Sequence, residues 1–189
     1  MDKISIGAKP LLYPMPTVLV GSNVKGKPNY MAVAWSGVVN MVPAMVSVAI
    51  NHSRYTLKGI IENKTFSINI PSSKQMIETD YCGIVSGSKA DKSAIFESFY
   101  GKLKTAPMIK NCPLNIECRV NRMIDLGSHE LLVGEIVDIM VDVDCTHNGV
   151  PDIKKIDPII FAFPQMDYFQ VGKHIGKAFD SGKEYKKQG

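Results

Sequence analysis

A mainly β fold, an antiparallel barrel with a few helical insertions, is what this sequence predicts. Two observations carry that expectation. Apolar segments rich in Val, Ile, Tyr and Phe recur along most of the chain, and helical periodicity is confined to a few stretches between them. A doubly wound sheet would place a helix after nearly every strand, and this chain does not alternate that way.

Taken in order, strands are expected at Thr17–Gly21, Tyr30–Ser36, Met45–Ile50, Phe66–Ile70, Leu114–Ile124, Glu130–Val141, Ile159–Phe163 and Tyr168–Val171. Between the third and fourth lies "SRYTLKGIIENK", where Leu57, Ile60 and Ile61 recur at helical spacing and Asn63 supplies a stop. Ser72 and Gln75 fit a capping box that opens a second helix. "ADKSAIFESF", from Ala90 to Phe99, reads as another short helix. The two long segments, joined through "DLGS", form one hairpin with Gly127 in its turn.

Met31–Ile50 carries no charge and is long enough to suggest a membrane span. Ser36-Gly37, Asn40 and Pro43 interrupt it, so it reads as two buried strands joined around "NMVP".

The 189 residues are enough for one well-filled core, and 45% hydrophobic with 21% charged residues is an ordinary globular balance. A single domain covering residues 1–189 is expected. The net charge of +4 is scattered except in the lysine-rich end Gly172–Gly189, which reads as a solvated helix face, so no nucleic-acid partner is expected. Cys82, Cys112, Cys118 and Cys145 stand far apart without a CxxC pair, and "MDKISIGAKP" lacks an apolar signal core. Both features favour a reduced, cytoplasmic protein over a secreted disulfide scaffold, and no membrane partner is expected. "DVDCTH", Asp142 to His147, is the only metal-like fragment, and without a second ligand cluster no metal site is expected.

Chemistry concentrates in "INHSRYTLKG". Here a strand ends at Asn51 and Ser53, Arg54 and Thr56 open a helix, whose free N–H groups and positive dipole end favour an anion. The same residues also suit a plain helix cap with a solvated arginine, and the local pattern leaves both readings open. Lys92 in "SGSKADK" sits at the start of the expected Ala90–Phe99 helix, where it would either reach the same anion or face solvent. Neither GxGxxG nor the P-loop pattern occurs, so a nucleotide would have to bind in another mode.

In their order, "KPNYMAVAWSG", "SRYTLKGIIENKTFSINIP", "DYCGIVSGSKADK", "SHELLVGEIV" and "YFQVGKHIGKAF" resemble the flavin reductase-like family of FMN-binding split barrels, most nearly its flavoredoxin branch. The likeness spans nearly the whole chain. It implies a six-stranded antiparallel split barrel, a homodimer, and noncovalently held FMN. By position, Asn29 with Ala32, Val33, Ala34, Trp35 and Ser36 would flank the isoalloxazine. Ser53, Arg54, Thr56 and Lys92 would hold the phosphate and ribityl chain. Tyr55 would pack either against the cofactor or in the core.

The resemblance also implies a catalytic role for His129, at a strand start beside the flavin, where a nicotinamide ring or another donor would stack. The bland alternative is an exposed histidine after a turn. Glu135 shares its strand face by alternation and reads as a structural pair or interface residue. Ser128 stands where relatives often carry an acid. The activity implied is an FMN-dependent oxidoreductase moving electrons from NAD(P)H or another reduced carrier to a flavin or iron acceptor. A non-catalytic FMN electron-transfer partner without a nicotinamide site is the alternative.

Overall fold

A computed structural model describes residues 2–185. Its main sheet has seven strands: β1 (Val18–Val24), β2 (Lys27–Val33), β3 (Ser36–Asn40), β4 (Met45–Asn51), β5 (Thr65–Ile70), β6 (Leu114–Asp125) and β7 (His129–Val141). They are hydrogen-bonded in the order β2-β1-β5-β6-β7-β4-β3. Every pairing is antiparallel. The fold is therefore mainly β with antiparallel sheets and few helices, and β3 brings the expected six strands to seven.

Local chemistry sets the turns. Lys25 and Gly26 both have positive φ, 52° and 77°, which suits a two-residue connection between β1 and β2. Gly127 (φ 88°) turns β6 into β7, and its N–H donates to Asp125 Oδ1 at 2.7 Å. Helix α1 (Tyr55–Asn63) ends at the expected residue, with Lys64 beyond it in the left-handed region. Gly59 lets α1 lie against β1, because a Cβ there would meet the Asn23 carbonyl oxygen at 2.2 Å. The Ser72–Gln75 capping box is present and opens a 3-10 turn that leads into α2 (Met76–Ile84).

Inside the curl, Val20, Val33, Val48, Ile50, Phe66, Cys118 and Leu132 form the core together with Leu57 and Ile60 of α1. A second cluster, Leu19, Tyr30, Cys82, Phe96, Ile109 and Cys112, joins the sheet to α2 and the segment before β6. All four cysteines are free, and three of them are buried packing residues. A small sheet of Met15–Pro16, β8 (Ile159–Ala162) and β9 (Asp167–Gln170) lies beside the main one.

The split in the barrel lies between β2 and β4. The expected strand Tyr30–Ser36 stops at Val33, and Ala34-Trp35 breaks it before β3 begins. The Ala49 N–H donates to the Trp35 carbonyl (2.9 Å) where the chain leaving β2 approaches β4.

Several sequence expectations fail for identifiable reasons. The charge-free segment Met31–Ile50 holds parts of three strands instead of two buried ones: β3 lies between them, outside both expected ranges except at Ser36, and is exposed at one edge of the sheet. Ala90–Phe99 forms turns and a short strand at Ser98–Phe99 that pairs with Met108–Ile109. The Glu97 carbonyl accepts from Lys110 N, so ladder pairing takes the groups a helix would need. Lys92 consequently begins no helix. In the lysine-rich end, residues 172–180 are not helical and a 3-10 turn covers Ser181–Glu184. The remaining residues of that stretch, 186–189, lie outside the described residues. No helix among the described residues is long and apolar enough to cross a membrane.

Candidate functional site

The split in the sheet and the start of α1 together form one cleft. Its first part is lined by Met31, Ala32, Val33, Ala34 and Trp35 from the β2 end, by Ala49 and Asn51 from β4, and by Arg54 and His129. Its second part is lined by Met31, Ser53, Arg54, Tyr55, Thr56 and Lys92, and is closed by Cys82, Val85, Ser86 and Gly87. Met31 and Arg54 line both, so the slot between the sheet ends opens into a corner at the helix start.

The corner is built for an anion. Helix α1 has no side-chain cap and no acidic residue in its first turn, so no side chain answers its first N–H groups or its dipole. Ser53 is fixed in a tight turn, because Asn51 Oδ1 accepts from both its N–H (3.0 Å) and its Oγ (2.7 Å). Arg54 Nη1 donates to the Gly83 carbonyl at 3.1 Å and is otherwise exposed toward the cleft. Lys92 is buried, and its Nζ donates to the Tyr30 and Cys82 carbonyls, each at 2.9 Å. Among the described residues neither Arg54 nor Lys92 pairs with a carboxylate. Burial pushes the Lys92 ammonium below its ordinary pKa, and the Arg54 charge pushes it further. Burial likewise raises the neighbouring Cys82 thiol to about 11, so it stays protonated and inert at neutral pH.

A buried ammonium with only carbonyl acceptors, beside a guanidinium and an uncapped helix start, fits a phosphomonoester. Asn29 and Thr56 contribute differently. Both are buried, and Asn29 Nδ2 donates to Thr56 Oγ1 (2.7 Å), which ties β2 to the first turn of α1. Gly87 packs on this pair so closely that a Cβ would meet Asn29 Oδ1 at 2.0 Å and Tyr55 Cδ1 at 2.8 Å. Tyr55 is half-buried at the edge of the corner, with Lys58 Nζ 5.8 Å from its ring centroid.

At the other end, His129 begins β7 opposite Asn51 of β4. Its ring lies on the Trp35 indole, with centroids 4.7 Å apart, and its Nδ1 is 2.8 Å from Ser128 Oγ. Glu135 keeps the expected alternation: Leu132 and Gly134 are buried, while His129, Leu131, Val133 and Glu135 are half-buried.

Ala32 to Trp35, Ser53 to Thr56, Lys92 and His129 are thus brought around one cleft. Asn29 and Ser36 lie outside the slot; Ser36 lines a neighbouring pocket under the segment Lys9–Pro16. Met31, Asn51, Ser86 and Gly87 also line the cleft but were not singled out from the sequence. Asn51 had a readable signal, an Asn two residues before a Ser at a strand end, which is an Asx-turn pattern. Ser86 and Gly87 stand in the "SGSKADK" stretch that pointed to Lys92.

Residues 11–162 match the flavin reductase like domain family. A flavoredoxin from Methanosarcina acetivorans is 48% identical with a TM-score of 0.95, covering 97% of this chain and 98% of that one. The flavoredoxin of Desulfovibrio vulgaris (Miyazaki F) is 38% identical with a TM-score of 0.90, covering 96% and 100%. FMN reductase (NADH) RutF of Pseudomonas syringae pv. syringae is 29% identical over 119 residues, 60% of this chain and 62% of its own. With the family match spanning most of its length and the split barrel and its cleft in place, the chain belongs to the flavin reductase like domain family.

Proposed function

We propose that this protein, acting as a single domain, binds FMN noncovalently in the cleft and works as an oxidoreductase of the flavin reductase type. It takes electrons from NAD(P)H or another reduced carrier and delivers them to a flavin or iron acceptor. One observation carries the reading: the slot beside the end of β2 runs into a corner whose two cations, Arg54 and Lys92, lack carboxylate partners among the described residues. The names of the similar flavoredoxins and of the NADH-dependent FMN reductase support it.

Bound FMN would supply a two-electron carrier that accepts and returns hydride. The chain's own residues hold and orient it. Arg54, Lys92 and the start of α1 neutralise the phosphate, with the Ser53 hydroxyl beside them. Ala32–Trp35 line the slot that would take the ring. Trp35 and His129, in contact with their planes tilted by 39°, present an aromatic wall where a nicotinamide would stack, and Ser128 Oγ holds the imidazole by its Nδ1. No protein nucleophile or general base is called for.

A homodimer completes the reading. β3 is a free edge strand, and Val38, Val39, Met41 and Val42 at and beyond it are exposed, an apolar edge suited to cover by a second copy. The four free cysteines and the absence of a long apolar helix among the described residues agree with a cytoplasmic protein.

The test is the absorbance spectrum of purified protein reconstituted with FMN, before and after NADH or NADPH. A flavin spectrum that bleaches with the nicotinamide supports the enzyme. Protein that takes up no FMN refutes the reading, and bound flavin that neither nicotinamide reduces leaves an electron-transfer partner in its place.

A further inference from the structure

At the tip of the β6–β7 hairpin, just outside the cleft, three side chains of metal-ligating type converge that the flavin reading does not use. Asp125 ends β6, Glu130 is the second residue of β7, and the sheet register sets them directly opposite each other. Two carboxylates facing across an antiparallel pair repel. Among the described residues no lysine or arginine pairs with either one. The group that does approach is an imidazole: His52, the first residue after β4, sets its Nε2 3.2 Å from Asp125 Oδ1. One nitrogen of His52 and one oxygen from each carboxylate lie within 4.8 Å of one another.

The backbone delivers all three. The His52 N–H donates to the Ser128 carbonyl (3.4 Å), which ties the end of β4 to the hairpin turn. The Gly127 N–H donates to Asp125 Oδ1 (2.7 Å), which orients that carboxylate and leaves Oδ2 to a ligand. Bonds of about 2.0–2.2 Å to a tetrahedral ion bring neighbouring donors to roughly 3.4 Å apart. The His52–Asp125 spacing is already of that size, and Glu130, free of any ion pair among the described residues, is the side chain that closes in. His52 and Asp125 are exposed and Glu130 is half-buried, so water completes the ion's shell. We propose that His52, Asp125 and Glu130 form a site for a divalent transition-metal ion of the zinc type. The imidazole favours such an ion over magnesium or calcium, which take oxygen ligands. The ion converts the repulsion between the two carboxylates into shared attraction. It also braces the cleft, because His52 precedes Ser53 and Glu130 follows His129. The site stands independently of the flavin reading.

The test is calorimetric titration of the chelator-treated full chain with Zn²⁺, and separately with Mg²⁺, for wild type, His52→Gln and Glu130→Gln. Asp125 is left in place because its bond to Gly127 belongs to the turn. Wild type should take up one Zn²⁺ and no Mg²⁺. Each variant should bind Zn²⁺ roughly a hundredfold more weakly, since losing a direct ligand costs at least as much as losing the partner that orients one. Melting temperature gives a second readout, one that a plain hydrogen-bonded pair would not move. Without metal, Glu130→Gln should melt above wild type, because the facing charges are gone. With saturating Zn²⁺ it should melt below wild type, which alone gains from the bound ion. Wild type that takes up no Zn²⁺ at up to about 0.1 mM overturns the site. Uptake that either variant leaves unchanged overturns it too, by placing the ion on other side chains, and so does an order of melting temperatures that Zn²⁺ fails to reverse.

Discussion

The Trp35 indole and the His129 imidazole, 94 residues apart in sequence, lie with their centroids 4.7 Å apart and their planes tilted by 39°. Trp35 sits at the break between β2 and β3, and His129 begins β7, so this contact closes the slot from both sides. His129→Ala removes half of that wall without touching the phosphate corner. FMN affinity is expected to hold, while reduction by the nicotinamide slows by roughly tenfold to a hundredfold through lost positioning. Stopped-flow bleaching of the bound flavin measures this, and an unchanged rate returns His129 to a turn residue.

Arg54 offers a test that distinguishes phosphate binding from ring binding. Arg54 lines both parts of the cleft, and among the described residues its guanidinium makes one hydrogen bond, to the Gly83 carbonyl. Arg54→Ala should weaken FMN by about 1.5–3 kcal/mol, the range for a lost charge-assisted hydrogen bond. Riboflavin, which lacks the phosphate, should bind wild type and variant alike. Equal losses for both ligands would show that Arg54 supports the ring slot instead.

Gly87 tests how the corner is braced. A methyl group there meets Asn29 Oδ1 and Tyr55, and Asn29 cannot swing aside because it is buried and bonded to Thr56. Gly87→Ala is expected to destabilise the fold by about 1–3 kcal/mol, the usual cost of overpacking. Thermal denaturation reads that loss. A melting temperature equal to wild type would mean that the loop simply lifts away.

Much of this was legible in the sequence because its causes are local. The β6–β7 hairpin followed from two apolar runs flanking a glycine that must adopt positive φ, and the start of α1 followed from Leu57 and Ile60 at helical spacing behind Ser53. Lys92 shows where local reading stops. Its pattern suggested a helix start, yet its position is set by the Tyr30 carbonyl, 62 residues away, and by Cys82. β3 was hidden for a similar reason: Val38 and Val39 fall between the two strands read from the sequence, and only their pairing with β4 makes them an exposed edge strand.

Lys92 also gives the site a pH signature. In the folded chain its pKa lies below the ordinary 10.5, first through burial and then through Arg54. Below the lowered value both folded and unfolded chains carry the proton, and the folded chain bears the desolvation cost. As pH rises from that value toward 10.5 the folded chain releases its proton first, so this group's contribution to stability climbs across the window and is complete above it. A phosphate beside Lys92 opposes the shift by favouring the charged form. The FMN complex should therefore show a shallower climb than ligand-free protein, and FMN affinity should fall across the same window. Lys92→Met removes the titrating group, so the difference in melting temperature between wild type and variant should depend on pH without FMN and less so with it. Thermal denaturation from neutral pH to 10.5, with and without FMN, makes the comparison. A difference that stays flat in both states would mean that the ammonium is hydrated in the folded chain and does not face the phosphate.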